Sequence, residues 1–193
     1  MAKTISRGTA RERLLAAAYD LFQAKGIKAV GIDAIISRAD VARMTFYRCF
    51  RSKHDLVLAF LGDREKRWSV QWLEDGVMRR TKDPRQRLLA IFDLYDEWFK
   101  RPDYEACSFM KVLFEDGPHG PYGKAASRHL SHIRRLVERL AAQAGIDDVE
   151  QFAKAWHILM QGSVIAAFAG DKNAARTAQK AGEILLRSNH AKA

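Results

Sequence analysis

The sequence predicts an all-α protein of about nine helices, because apolar residues recur at three-to-four spacing along most of the chain. Two further observations agree. No sustained two-residue alternation marks a strand, and no Asn-Gly or Asp-Gly hairpin joins such runs. Four prolines in 193 residues leave room for long helices.

The first helix opens at Thr9-Ala-Arg-Glu12, a capping box in which the Thr9 hydroxyl accepts from the Glu12 amide and Glu12 reaches back. Leu14, Leu15, Ala18, Leu21 and Phe22 form its apolar face, and it stops at Lys25-Gly26, where glycine accepts a left-handed backbone. Gly31 to Ala39 reads as a second, short helix with Asp33 set against the positive end of the dipole. Asp40-Val41 make a turn, and Arg43 to Phe50 is another short helix carrying Phe46, Tyr47 and Phe50. Ser52 caps a longer helix with Asp55 at its third position; this runs through Leu56, Leu58, Phe60 and Leu61 toward Trp68 and Trp72.

Pro84, suited to a first helical turn, starts a stretch from Leu88 to Phe99 that Pro102 ends. A short apolar helix over Ala106–Phe114 precedes a breaker-rich loop, Gly117 to Gly123. Lys124–Ala144 is amphipathic and ends at Gly145. Asp147 or Asp148 caps Val149–Ala169, and Asp171 caps the last helix, which runs to Ser188.

Composition sets the bounds. Hydrophobic residues are 48% and charged residues 29%, so the chain has enough apolar material for a core and is not a disordered tail. No stretch approaches the ~18 uncharged apolar residues of a membrane span. The N-terminus lacks the apolar region of a secretory signal, so a cytoplasmic location and no membrane partner are expected. Cys49 and Cys107 form no CxxC, which sets aside disulfide and zinc-ribbon scaffolds. The net charge of +10 is uneven: residues 1–53 hold eleven basic and four acidic residues, hence +7, and the remainder only +3. A basic first quarter on a near-balanced body suggests a polyanion-binding module on a scaffold of another kind.

Two short helices joined by a tight turn, after a longer helix and rich in basic residues, describe a helix-turn-helix DNA reader. The second must enter a major groove ~12 Å wide, so it needs donors outward and anchors inward. Phe46 and Phe50 stand at i and i+4 and share the inward face. Arg43, Met44, Thr45, Tyr47 and Arg48 are left outward or at the margins. Lys53 begins the next helix, where an ammonium and free amides together hold a phosphate.

These residues carry a resemblance. Arg13 to Phe22, Gly26-Ile27, Ile32 to Ile36, Ala39 to Phe50 and Ser52 to Leu56 resemble the N-terminal domain of the tetracycline-repressor (TetR) family of bacterial regulators. The combination Thr45, Tyr47, Phe50 and Lys53 is its most specific part. The resemblance implies that Thr45, Tyr47 and Lys53 contact the DNA backbone and that Arg43, Met44 and Arg48 set sequence preference. An Arg bound bidentately to guanine contributes ~1–3 kcal/mol of discrimination. Three positions depart from the family pattern. Asp40 stands where glycine is usual in the turn, and Ala42 replaces a serine cap. Gly31 replaces a threonine, which leaves only a backbone amide for phosphate.

By the same resemblance, residues 1–54 form the DNA-binding domain and 55–193 a helical ligand-binding and dimerisation domain. The last two helices mix small residues (Gly162, Ser163, Ala166, Ala167, Ala174, Ala175, Ala178, Ala181) with Phe152, Ile165, Phe168, Ile184 and Leu185. They are the expected homodimer face, a four-helix bundle from two chains. The middle helices are rich in aromatics, most of them core. The family encloses an inducer pocket there, which implies a small apolar ligand against Trp68, Trp72, Phe92, Tyr95, Trp98, Phe109, Trp156 and Met160. His132 heads the polar candidates, with His157, Gln161 and Cys107 beside it.

His129 and His132, three apart, suit a metal, but no Cys, Asp or Glu near them in sequence completes a ligand set, so a structural or solvent role is expected. No metal or cofactor is expected. Glu115-Asp116 reads as a helix end. No GxSxG, P-loop or HExxH is present, and no enzyme is expected. The expected function is a homodimeric regulator, a repressor on a palindromic double-stranded operator, released by a small-molecule inducer. The rivals are a constitutive DNA binder without inducer and an all-helical carrier or enzyme.

Overall fold

The computed structural model describes residues 8–189, in which all regular structure is helical and no strand occurs. In order these are α1 (Ala10–Lys25), α2 (Ile32–Ala39), α3 (Arg43–Cys49), α4 (Lys53–Arg64), a π-helical stretch (Glu65–Glu74), α5 (Asp75–Arg80), α6 (Pro84–Phe99), α7 (Ser108–Asp116), α8 (Pro121–Gln143), α9 (Val149–Phe168) and α10 (Ala174–Ser188). Helical backbone is unbroken over 53–80, so the described residues form nine continuous rods, as expected. No helix among them is long and apolar enough to cross a membrane. The chain divides into two compact units. The first runs up to Arg64 and takes in Ser108–Ser127; the second holds Glu65–Cys107 and the chain from Arg128 on.

The first unit is built on α1. The Thr9–Glu12 capping box is present in both directions, at 3.3 Å for the Glu12 amide and 2.8 Å for the Thr9 amide. Leu14, Ala17 and Ala18 are wholly buried, together with Ile35 of α2, Phe46 of α3 and Leu56 of α4. Phe22 packs edge-on against Phe60 with ring centroids 5.4 Å apart. Gly26 takes φ +79° beyond α1, and a Cβ there would lie 3.0 Å from the Glu115 carboxylate. That carboxylate accepts from the Ile27 amide at 2.8 Å and the Lys28 amide at 2.5 Å, while Lys28 Nζ donates to the Glu115 carbonyl at 2.7 Å. Glu115 therefore sits at the end of α7, as read, and also closes the loop after α1.

Two boundaries in this unit differ from the sequence reading. Helix α7 starts at Ser108 rather than Ala106, because Ala106 has a left-handed φ of 64° that no helix continues. The breaker-rich loop is shorter than read, since α8 begins at Pro121. Proline suits a first helical position, and Asp116 Oδ2 accepts from the Tyr122 and Gly123 amides at 2.9 and 3.0 Å, satisfying donors a helix start leaves open.

The second unit packs α6, α9 and α10 around Trp156, which is fully buried. Its ring lies 5.3 Å from Phe92 and 5.2 Å from Phe152. Gly182 makes this approach possible: a Cβ there would stand 2.8 Å from the indole. Arg176 ties α10 to α6 through Asp93 at 2.5 Å and Asp96 at 2.9 Å. Burial alone would raise the Asp96 pKa, but hydrogen bonds from Lys100 and Arg176 outweigh it and hold the carboxyl below its ordinary value. Asp83 accepts from the Arg85 amide at 2.9 Å and caps α6 ahead of Pro84. Of the two candidate caps for α9, Asp148 serves, accepting from Gln151 at 3.0 Å. Asp171 does not cap α10 directly. It accepts from the Asn173 amide at 2.8 Å and shapes the turn that leads in.

Candidate nucleic-acid interface

Helix α3 is held from behind. Phe46 is wholly buried and Phe50 is 5% exposed, which fixes the inward face of α3. The opposite face carries Arg43, Met44, Tyr47 and Arg48, all exposed, with Met44 at 69% and Tyr47 at 42%. Tyr47 packs its ring edge-on to Phe46 at 5.2 Å, so its hydroxyl is aimed by the anchor beneath it. Thr45 is half-buried, and its hydroxyl accepts from Arg48 Nη2 at 3.4 Å.

The turn into α3 survives without glycine. Asp40 adopts φ 51°, ψ 57°, a left-handed geometry that Asp tolerates better than most residues. Its carbonyl accepts from Arg13 Nη1 at 3.0 Å, so α1 clamps the turn. Neither Gly31 nor Ala42 offers a side-chain cap. The Ala42 carbonyl instead accepts from Thr45 at 2.9 Å and Phe46 at 3.2 Å to start the helix. Gly31 is exposed at the head of α2, where a Cβ would meet open space. Ser52 accepts from the Asp55 amide at 3.1 Å, placing half-buried Lys53 at the first turn of α4.

Three contributors were not legible as part of this surface. Asp33 pairs with Arg43 across α2 and α3, with both side chains largely exposed. Arg11 stacks over the Phe50 ring at 5.3 Å. Arg38 is held by Asp20 at 2.7 Å. The i,i+10 spacing of Asp33 and Arg43 is the only sequence trace of their pairing, and it becomes readable once the turn geometry is known.

The sequence-predicted ligand residues separate into groups. Trp68, Trp72, Tyr95 and Trp98 form one aromatic cluster with centroids 5.0 to 6.4 Å apart, joined by Phe99 and Tyr104. Phe92 bridges it to Trp156, and Met160 is buried on α9. Burial, then the nearby Cys107 and Tyr104, push the Tyr95 hydroxyl well above its ordinary pKa, so it stays a neutral donor. The Trp156 indole N–H is buried and finds no acceptor among the described residues. Phe109 is buried in the first unit. His132 faces Glu65, which brings one carboxylate oxygen to His132 Nδ1 and the other to within 2.7 Å of His129 Nδ1. Sequence proximity hid this carboxylate, which lies sixty-seven residues before His132.

Residues 14–60, the segment that forms this anchored helix-turn-helix, match the family described as bacterial regulatory proteins, tetR family. The whole chain resembles SCO4454, a TetR-family transcriptional regulator from Streptomyces coelicolor. They are 28% identical with a TM-score of 0.83, covering 93% of this chain and 95% of that one.

Residues 14–60 are thus a TetR-family segment, and the chain is similar to TetR-family regulators in fold.

NemR of E. coli, in its reduced form, shares this fold at 19% identity and TM-score 0.81, over 91% of this chain and 95% of that one. A curated relative, the HTH-type transcriptional activator FasR of Mycolicibacterium smegmatis, is 35% identical over 99 residues, which is 50% of this chain. That match spans 43% of the relative's length.

Proposed function

We propose that this chain is a homodimeric TetR-family repressor that binds a palindromic operator and leaves it when a small apolar or aromatic ligand binds. The observation that carries the reading is the outward face of α3, where two arginines, Met44 and Tyr47 project from a helix anchored by buried Phe46 and Phe50. Thr45, Tyr47, Lys53 and the Gly31 amide hold phosphates. Arg43, Met44 and Arg48 read base edges, with an Arg donating bidentately to guanine.

A reader of this size needs a second copy, placed one helical turn away on the duplex. The surface of the last two helices supplies the support. Ile158, Ile165 and Phe168 of α9 and Ile184 of α10 are all more than half exposed. Their spacing lines one face, and a matching pair from a second chain buries it as a four-helix bundle. Residues 1–54 read DNA, while 55–193 dimerise and bind ligand. The ligand sits against Trp68, Trp72, Tyr95, Trp98, Phe92, Trp156 and Met160. The unpaired Trp156 N–H supports this, since a buried donor without an acceptor costs ~1–3 kcal/mol. A ligand that prefers the form with misspaced α3 helices releases DNA by population shift.

The similarity to FasR, named an activator, favours a second reading of sign: the same operator binding with recruitment in place of block. Selection from a random duplex pool, followed by in vitro transcription on the selected site, tests both. The proposal expects a palindrome and reduced transcription. A palindrome with raised transcription selects the activator. No enriched sequence overturns both. Arg43→Ala or Arg48→Ala relaxes the selected bases; if neither changes them, α3 is not the reader.

A further inference from the structure

We infer that Glu65, His129 and His132 form a binding site for a divalent d-block cation, Zn2+ foremost. The inference goes beyond the regulator reading and does not depend on it. His129 and His132 stand at i and i+3 on α8 and so share a face. Glu65, the first residue of the π-helical stretch, meets them from a separate element of the same unit. One ligand atom from each residue lies within 4.8 Å of the others. Both Nδ1 atoms address the same carboxylate, one oxygen each, at 2.7 Å for His129 and closer for His132.

Two imidazoles and one carboxylate are a donor set for Zn2+, Co2+ or Ni2+ rather than Mg2+ or Ca2+, which take oxygen ligands. A tetrahedral ion with ~2.0–2.1 Å bonds keeps its ligand atoms roughly 3.3 Å apart, so the Glu65 carboxylate must move back from both imidazoles to admit it. Both Nδ1 atoms must be free of protons to bind the cation, so each neutral imidazole then carries its proton on Nε2.

The site is built and open on one side. His129 is 13% and Glu65 22% exposed, while His132 is 45% exposed, so two ligands are held and the third faces solvent. Beside them runs a groove of about 220 Å3, lined in part by Glu65, Ser69, His132 and Arg135. Ser69 is 7% exposed, and its hydroxyl oxygen is buried with no hydrogen-bond partner among the described residues. A water on the cation, filling the position three protein ligands leave free, supplies what this side of the groove lacks. Arg139 does not oppose the cation strongly, being paired with Glu74 at 2.6 Å. π-helical turns often mark functional sites, and this one begins at the carboxylate ligand.

The test uses the full chain, stripped with a chelator and titrated with Co2+ and then with Zn2+ as competitor. The visible Co2+ bands report tetrahedral nitrogen and oxygen ligands without any DNA present, so their absence does not bear on operator binding. The expected result is one equivalent per chain, displaced by Zn2+, with a raised melting temperature in Zn2+. Glu65→Gln, His129→Ala and His132→Ala should each weaken binding at or beyond the roughly 10–100-fold that even an outer-shell change costs. His119→Ala, on the loop before α8, should leave it unchanged. Imidazole nitrogen NMR of the unaltered chain covers the case of variants that do not fold: Zn2+ should move the Nδ1 signals of two histidines only. Equal Co2+ affinity in the His129→Ala, His132→Ala double variant, or no change at any imidazole Nδ1, overturns the site.

Discussion

Asp33→Asn separates two jobs that one carboxylate performs. In the free protein Asp33 pairs with Arg43, an arginine proposed to read bases. DNA binding must break that pair and also bring a carboxylate toward phosphates. The side chains are 60% and 78% exposed, so the pair belongs to the weak surface class, worth about 0.2–1 kcal/mol. Removing it should raise operator affinity roughly 1.5- to 5-fold at low salt, and less as the Debye length shrinks to ~8 Å near physiological ionic strength. Asp33 also sits in the first turn of α2, where a carboxylate stabilises the helix by about 0.3–1 kcal/mol. The same substitution should therefore lower the melting temperature while it tightens binding. Fluorescence anisotropy on the selected operator, across a salt series and beside thermal melts, measures both. The gain should vanish in an Arg43→Ala background if it comes from freeing Arg43. Weaker binding by Asp33→Asn, or an equal gain without Arg43, would refute the reasoning.

Other consequences can be checked separately. Lys53→Ala should weaken every site alike and reduce the slope of log affinity against log salt by about 0.9, whereas Tyr47→Phe should cost affinity uniformly with the slope kept; competition titrations at several salt concentrations distinguish them. Phe168→Glu with Ile165→Glu should convert the dimer to monomer in sedimentation velocity without lowering helix content, since both side chains are exposed on α9. Burial, then the charge of Arg134, lowers the His157 pKa from 6.5 to about 4. The unfolded chain therefore binds that proton first: the contribution to stability is full above pH 6.5 and is lost as pH falls toward 4, by up to about 3 kcal/mol. Urea melts at neutral and acid pH should show this loss, and His157→Phe should remove it. Gly26→Ala should destabilise by about 1–2 kcal/mol, because its backbone is left-handed and the new Cβ meets the Glu115 carboxylate.

The helix-turn-helix was legible because its requirements are local. Phe46 and Phe50 at i and i+4, a polar face opposite, and a cap at Ser52 lie within a dozen residues, and short-range periodicity records all of them. Long-range closure left no such record. Glu115 caps the loop after α1 from a helix end that reads as generic, and Asp116 starts α8 at a proline that reads as a breaker. Glu65 reaches His132 across sixty-seven residues. The aromatic residues of the second unit were legible as a set but not as a grouping, because spacing along helices does not say which faces meet.

The placement of α3 separates the residues that hold it from those it turns outward. A helix of seven residues has no stability of its own, since isolated helices shorter than ~12–15 residues are marginal in water. Ala42 gives it no side-chain cap. Its geometry is therefore imposed: Phe46 and Phe50 sink into the core from below, Arg13 of α1 fixes the turn carbonyl ahead of it, and Arg11 covers the Phe50 ring behind it. None of these restraints involves Met44 or Tyr47, and those on Arg43 and Arg48 are exposed, weak polar contacts. Substitution at Arg43, Met44 or Arg48 should therefore change stability little. Substitution at Phe46 or Arg13 instead removes the platform from which anything is read.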